Sequence, residues 1–243
     1  MVRVVDYESR GKEILRKTIE YYLETAQPVS SEALLDNFSL SFSSATIRNV
    51  LKDLEEKGYL THPHTSAGRI PTDKGYRFYI NDLMEKVELL EQEKNTLENF
   101  FKSYLETESD VFINASRIIS NSTHYIGIVN EGGKNKLSYY GVNFLLEQPE
   151  FGNIKSIKSI LKLLDENTLI ELMNHKMSGD IDILIGEEYD CPEMNECALI
   201  ITECKTPKEN LGRLAVLGPK RMAYSRVIPI MSYLNELILE EFD

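Results

Sequence analysis

The sequence predicts an α+β chain: an N-terminal winged helix-turn-helix, a long connector helix and an α+β C-terminal domain. Three observations carry that expectation. Three short amphipathic helical patterns precede residue 60, the last two separated only by "SLSF". A polar, broken segment, "THPHTSAGRIPTDKGYRFY" at 61–79, comes after the third. Beyond residue 109, apolar strand-like runs alternate with helical stripes.

The 243 residues are 42% apolar, enough for about two domains. The net charge of −12 excludes a chain that is basic throughout. It is unevenly spread: residues 1–82 hold 11 Lys/Arg against 12 Asp/Glu, residues 83–243 hold 16 against 27. An acidic body with a nearly neutral front end leaves room for a basic face at the front. Cys191, Cys197 and Cys204 form no CxxC pair, which argues against structural zinc and for a reducing compartment. No apolar run approaches the roughly 18 residues of a membrane span. "MVRVVDYESR" lacks the apolar core of a secretory signal. A cytoplasmic chain without stable membrane insertion is expected.

The first helix is expected over about Glu8 to Thr25, with Ile14, Leu15, Ile19, Tyr22 and Leu23 at helical spacing. Pro28 stops it. Ser30 then caps "SEALLDNF", and Ser43 or Ser44 caps "SSATIRNVLKDLEEKGYL". In that third helix Ile47, Val50, Leu51 and Leu54 form an apolar stripe, and Gly58 is the stop. Its other face carries Ser44, Thr46, Arg48, Asn49 and Lys52, residue types that reach phosphates and base edges. A polar helix face more often simply meets water. The segment after this helix tips the balance toward DNA.

"YLTHPHTSAGRIPT" leaves the helix through Tyr59 and Leu60, turns at "SAGR" and returns through Ile70, a hairpin in the position of a wing. Its tip is small, and Arg69 is expected free to reach a phosphate or a narrow minor groove. His64, Thr65, Ser66, Gly68 and Arg69 are therefore candidate DNA contacts. His62 and His64 alone make a weak metal motif. Thr72 or Asp73 caps a further helix, from which Tyr76, Tyr79, Ile80 and Leu83 pack back.

Leu83, Val87, Leu90, Lys94, Leu97, Phe101 and Tyr104 step by 4, 3, 4, 3, 4, 3, a heptad seam with Lys94 at a core position. Two readings stand near even: a helix packing on its own domain, or a dimerisation helix using Leu83, Val87, Leu90, Leu97, Phe101 and Tyr104. Farther on, "HYIGIVN" and "KLSYYGVNF" read as strands around a Gly-rich turn. "NIKSIKSILKLLDENTLIELMNHK" reads as helical, "DIDILIGEE", "CALIITECK" and "GRLAVLGP" as strands, and "SRVIPIMSYLNELILEEF" as a closing helix. The sheet is expected to be mixed or antiparallel.

"PVSSEALL", "SSATIRNVLKDLEEKGYL" and above all "HPHTSAGRIPTDKGYRFY" resemble the N-terminal region of the HrcA family, bacterial heat-inducible transcription repressors. The resemblance resumes at "GVNFLLEQPEF" (141–151), "ILIGEE" (183–188) and "GRLAVLGPKRMAYSRV" (212–227). It implies a GAF-like C-terminal domain, an inverted-repeat operator ahead of chaperone operons, a homodimer, and the GroE chaperonin as the partner that keeps the repressor active. Ala215 and Ala223 stand where the family pattern has Gly and Asp. Members are also longer, with an inserted dimerisation domain. Here only "EGGKNK" (131–136) joins the two strands, so the GAF-like domain is a reduced one. The expected domains are 1–80 winged helix, 81–108 connector or dimerisation helix, and 109–243 reduced GAF-like domain.

Catalysis has little support. No phosphate-loop, dinucleotide, nucleophile-elbow or HExxH motif is present. Glu187 and Glu188, if on a strand, point to opposite faces. Glu171 and His175, one helical turn apart, are more often a solvated pair than metal ligands. "GPKR" (218–221) lacks phosphate-loop spacing and reads as a strand-to-helix turn. No catalytic, metal or cofactor site is therefore assigned. The runner-up is a ligand-sensing regulator, which a pocket lined by convergent polar groups would favour. A DNA-tethered enzyme, marked by a bound metal, comes third.

Overall fold

The structure, a computed structural model, describes residues 2–63, 68–107, 111–132, 136–205 and 210–242. The chain forms two compact units, Met1–Glu85 and Lys86–Asp243.

In the first unit, α1 (Val2–Thr25) starts earlier than the sequence pattern suggests. It buries Ile14, Leu15 and Ile19 and ends where Ala26 turns into the left-handed region at φ 54°. Each fully buried aliphatic side chain of this kind contributes about 1.5–3 kcal/mol. The short α2 (Ser31–Asn37) is capped by Ser30, whose hydroxyl accepts from the Ala33 N–H at 3.1 Å. α3 (Ser44–Glu56) is capped by Ser43, accepting from the Thr46 N–H at 3.1 Å. It buries Ile47, Val50, Leu51 and Leu54, the stripe read from sequence. At its end the Gly58 N–H reaches the Glu55 carbonyl at 2.8 Å and the Tyr59 N–H reaches that of Leu54 at 2.9 Å. That double closure needs a left-handed residue, and Gly58 supplies it at φ 76°.

The chain then forms an antiparallel pair, β1 (Leu60–Thr61) and β2 (Ile70–Pro71), with Leu60 opposite Pro71 and Thr61 opposite Ile70. Thr72 caps α4 (Asp73–Phe78), accepting from the Gly75 N–H at 3.1 Å. The coil widens to a π-turn over Tyr79–Leu83, and Met84 turns extended. Tyr76 and Tyr79 are buried; Ile80 and Leu83 are half-buried.

In the second unit, α5 (Glu91–Thr107) and α6 (Val111–Thr123) precede the hairpin β3 (Ile126–Glu131) and β4 (Lys136–Tyr140). Then come α7 (Val142–Leu146), α8 (Ile154–Leu163), α9 (Glu166–Met173), β5 (Ile181–Ile185), β6 (Cys197–Lys205), β7 (Asn210–Pro219) and α10 (Tyr224–Phe242). The sheet order is β4-β3-β7-β6-β5, antiparallel throughout, which resolves the mixed-or-antiparallel alternative. This is a GAF-like order, with helices on both faces. Ile126, Ile128, Leu199, Ile201, Ala215 and Leu217 pack with α7, α8 and α9, while α6 and α10 contact strands of the same sheet. Glu131 pairs directly with Lys136 at the end of the β3–β4 ladder.

Three expectations change. "GVNF" is not strand: after Tyr140 the chain turns at Gly141 into α7. Gly186–Glu188 form a 3-10 turn, not strand, and the Glu188 carboxylate accepts from the Ile185 N–H at 3.2 Å. The connector is not one helix over 81–108. The 4-3 spacing runs across a break, and α5 begins afresh at Glu91, with the Glu93 carboxylate accepting from the Leu90 N–H at 3.0 Å. Leu97 and Phe101 are buried, and α5 packs on α6 and α10. Lys94 lies 5.8 Å from the Tyr233 ring centroid, and the Tyr104 hydroxyl accepts from Asn121 at 3.2 Å. The inner part of the seam thus packs on its own unit. Heptad spacing states that a stripe is covered, not by which chain.

Candidate nucleic-acid interface

The outer face of α3 is set by the burial of its inner one. With Ile47, Val50, Leu51 and Leu54 facing inward, Arg48, Asn49 and Lys52 stand exposed together, at i, i+1 and i+4. Ser44 and Thr46 are half-buried, and both are engaged at the start of the helix. Ser44 Oγ lies 3.2 Å from Ser31 Oγ, and Thr46 Oγ1 lies 2.9 Å from Ser43 Oγ. Ser44 ties the start of α3 to α2 and Thr46 bonds the cap of its own helix, whereas Arg48, Asn49 and Lys52 form the outward surface.

Glu32, on α2, organises that surface. Its Oε1 accepts from Arg48 Nη2 at 3.1 Å and from Ser44 Oγ at 3.5 Å. Ser31 Oγ donates to its other oxygen at 3.2 Å. Its own backbone N–H and then the Ser31 hydroxyl hold its carboxyl below the usual range; Arg48 adds the smallest part. The Arg48–Glu32 pair is exposed on both sides, so it positions Arg48 more than it stabilises the fold. Lys52 pairs with Glu56 at 3.6 Å, one turn along.

The hairpin departs from the sequence expectation. His64, Thr65 and Ser66 lie outside the described residues. Arg69 is not a free tip residue. Its backbone exchanges hydrogen bonds with Val29 at 2.8 and 2.9 Å, and its Nε donates to Glu55 Oε2 at 3.2 Å. Its side chain is 15% exposed. The other Glu55 oxygen faces His62 Nε2 at 3.2 Å. Gly68 lies so close to the preceding linker that a Cβ there would sit 2.6 Å from the Val29 carbonyl carbon and oxygen. Glu32 and Glu55 are the residues sequence reasoning missed. Their partners lie 16 and 14 positions away, beyond any local pattern.

The other candidates resolve differently. His175 pairs with Asp182, not Glu171: its Nε2 is 3.1 Å from Asp182 Oδ2. Arg221 of "GPKR" is engaged by Glu150 and Gln148, in a turn that joins β7 to α10. Among the described residues no three His, Cys, Asp or Glu side chains converge to hold a metal, and no helix is long and apolar enough to cross a membrane.

The family model described as "HrcA protein C terminal domain" matches residues 75–228, well over half of the chain. The chain belongs to the HrcA family. Two HrcA relatives are each called "Heat-inducible transcription repressor HrcA". The one from Desulforudis audaxviator (strain MP104C) is 27% identical over 329 residues, covering 94% of this chain and 96% of the relative. The one from Geobacter sulfurreducens is 28% identical over 340 residues, covering 97% and 98%. Both alignments are longer than the 243-residue chain, so these HrcA proteins carry residues opposite which this chain has none. A crystal structure of a hypothetical protein at 2.2 Å resolution matches with a TM-score of 0.79 at 20% identity, over 96% of this chain and 98% of that one. It supports the α+β fold.

Proposed function

We propose that this chain is a heat-inducible transcription repressor, as its relatives are named, and that the first unit binds operator DNA as a winged helix-turn-helix. In this reading α3 is the recognition helix and the β1–β2 hairpin is the wing. The observation that carries it is the exposed set Arg48, Asn49 and Lys52 on a helix whose opposite face is fully packed. A helix about 10–12 Å across fits the roughly 12 Å major groove. Arg48, oriented by Glu32, is the base-reading candidate. Asn49 and Lys52 extend the contact, and the N-terminal end of α3 with Ser44 and Thr46 approaches the phosphates. Arg69, held by Glu55 and Val29, anchors the hairpin beside α3, and His64, Thr65 and Ser66 are the candidate contacts to the adjacent groove.

An inverted-repeat operator ahead of chaperone operons requires two reading helices about 34–36 Å apart, or a multiple of that, and therefore a two-fold homodimer. The GroE chaperonin is the proposed partner that restores the DNA-binding form. Footprinting of the purified chain on its own chaperone promoters tests the core of this reading. A protected inverted repeat is expected; equal affinity for operator and scrambled DNA of the same length would refute it.

A further inference from the structure

The chain entering α5 and the cleft beside it have complementary chemistry that one copy leaves unused. Just ahead of α5, Val87 and Leu90 are 54% and 68% exposed. Exposed aliphatic side chains three positions apart in one irregular stretch are candidates for a contact surface. Beside them is an open cleft of about 330 Å³, with Leu97, Phe100 and Ile230 as its apolar lining and Arg226 and His124 as exposed polar residues. Leu89 lines this cleft, and the next residue, Leu90, does not. Open to solvent, with Arg226 exposed at its edge, the cleft fits a side chain brought by another chain better than a small molecule that must be sequestered.

The charges repeat the pattern. Glu88, two residues before Leu90, and Arg226, in the first turn of α10, are both exposed. Among the described residues neither side chain has an ion pair or a hydrogen bond. An apolar projection carrying Glu88 therefore lies next to an apolar cleft edged by Arg226, with Glu93 also in its lining.

We propose that this face is the contact between two copies of the chain. Leu90 and Val87 of one copy dock in the cleft of the other, and Glu88 of one faces Arg226 of the other. Projection and cleft both lie at the start of α5, so a two-fold axis there satisfies both exchanges at once. A head-to-tail contact would leave one projection and one cleft uncovered in every pair. The proposal rests on the two-fold assembly of the proposed function and deepens it by naming the surface. It also accounts for Leu90, Val87 and Phe100 being exposed while Leu97 and Phe101 of the same stretch are buried.

Charge reversal tests it in the full chain by sedimentation velocity. Arg226→Glu alone and Glu88→Arg alone each put like charges at both ends of the contact. Each should dissociate at least tenfold more readily than the parent. An equimolar mixture should regain parental association, because each variant then meets its opposite twice. Leu90→Asp should also dissociate and should not be rescued by either variant. Melting temperatures matching the parent confirm that the exposed substitutions leave the fold intact. A parent that is monomeric overturns this surface and the two-fold assembly together. A dimeric parent whose three variants stay equally dimeric overturns the surface alone. Two weakened variants that do not rescue each other show that these charges do not face one another, and overturn the proposal.

Discussion

Arg69 Nε donates to Glu55 Oε2 at 3.2 Å, tying the hairpin to the body of α3. The same residue is bridged through its backbone to Val29, so the hairpin is held from two sides, by the α1–α2 linker and by the proposed reading helix. A wing that must enter a groove beside the reading helix benefits from this arrangement, because its orientation is set before DNA arrives.

Arg69→Ala is therefore expected to cost more than an ordinary surface change. The side chain is largely buried and makes a charge-assisted bond, so a loss of about 1–2 kcal/mol is expected. Urea denaturation measures it, and a double-mutant cycle with Glu55→Ala should show coupling between the two sites. Operator affinity should fall with it. Additive effects in the cycle would show that the pair does not hold the hairpin.

Gly68→Ala should be more severe than its size suggests. The new Cβ would meet the Val29 carbonyl at 2.6 Å, and both atoms belong to backbone that is pinned by the bridge to Arg69. A loss of about 1–3 kcal/mol is expected from overpacking. A melting temperature equal to the parent's would mean that the linker gives way freely.

These two positions show how far the sequence could be read. Ser30, Ser43 and Thr72 were legible as caps because a cap bonds an N–H three residues along, within the window a pattern can see. The strands β5, β6 and β7 were legible because a covered sheet demands apolar runs. The partners of Arg69 and Arg48 were not, since Glu55 and Glu32 reach them only after the helices have packed. The break between Leu83 and Glu91 was hidden for a related reason: the apolar spacing continues across it while the backbone does not.

Arg48→Ala should separate binding from folding. Its pair with Glu32 is exposed, so the fold should lose well under about 1 kcal/mol. Operator binding should weaken by about 1–3 kcal/mol if the guanidinium reads a base, with less discrimination against a mutated operator. If it contacts only phosphate, affinity should fall on every sequence and the salt slope should drop by about one. Unchanged affinity in a folded variant removes Arg48 from the interface.

Asp182 gives the second unit a pH dependence of definite sign. Burial pushes its pKa up, but the Ser178 hydroxyl and N–H, followed by His175, outweigh burial and leave it below the usual value. A depressed carboxylate contributes stability that is present above its unfolded pKa, near 3.9, and is lost as pH falls through the folded value. Asp182→Asn should therefore be less stable than the parent near neutral pH, and the gap should close as pH falls below the ordinary carboxylate pKa of about 4. Urea midpoints across that range measure it. A gap that does not change with pH would assign the loss to shape, not charge.

The heat response can be followed through two thiols. Cys197 and Cys204 are fully buried in β6, and burial pushes both thiols up, that of Cys204 to about 12. While the second unit is closed they are both inaccessible and protonated, and thiolate is the reactive form. If repression ends because this unit opens on mild heating, their alkylation should begin over the same temperatures at which operator DNA is released. A stability change of about 1–2 kcal/mol shifts the folded population enough for such a transition. Chaperonin added after heating should restore operator binding and thiol protection together, without remaining in the DNA complex. The measurement is iodoacetamide labelling by mass spectrometry, run beside operator binding at each temperature, with Cys191 as a partly exposed internal reference. Release of DNA with Cys197 and Cys204 still protected would locate the switch outside the second unit. Binding that persists through heat-shock temperatures, untouched by chaperonin, would rule out thermal opening and favour a ligand-driven release.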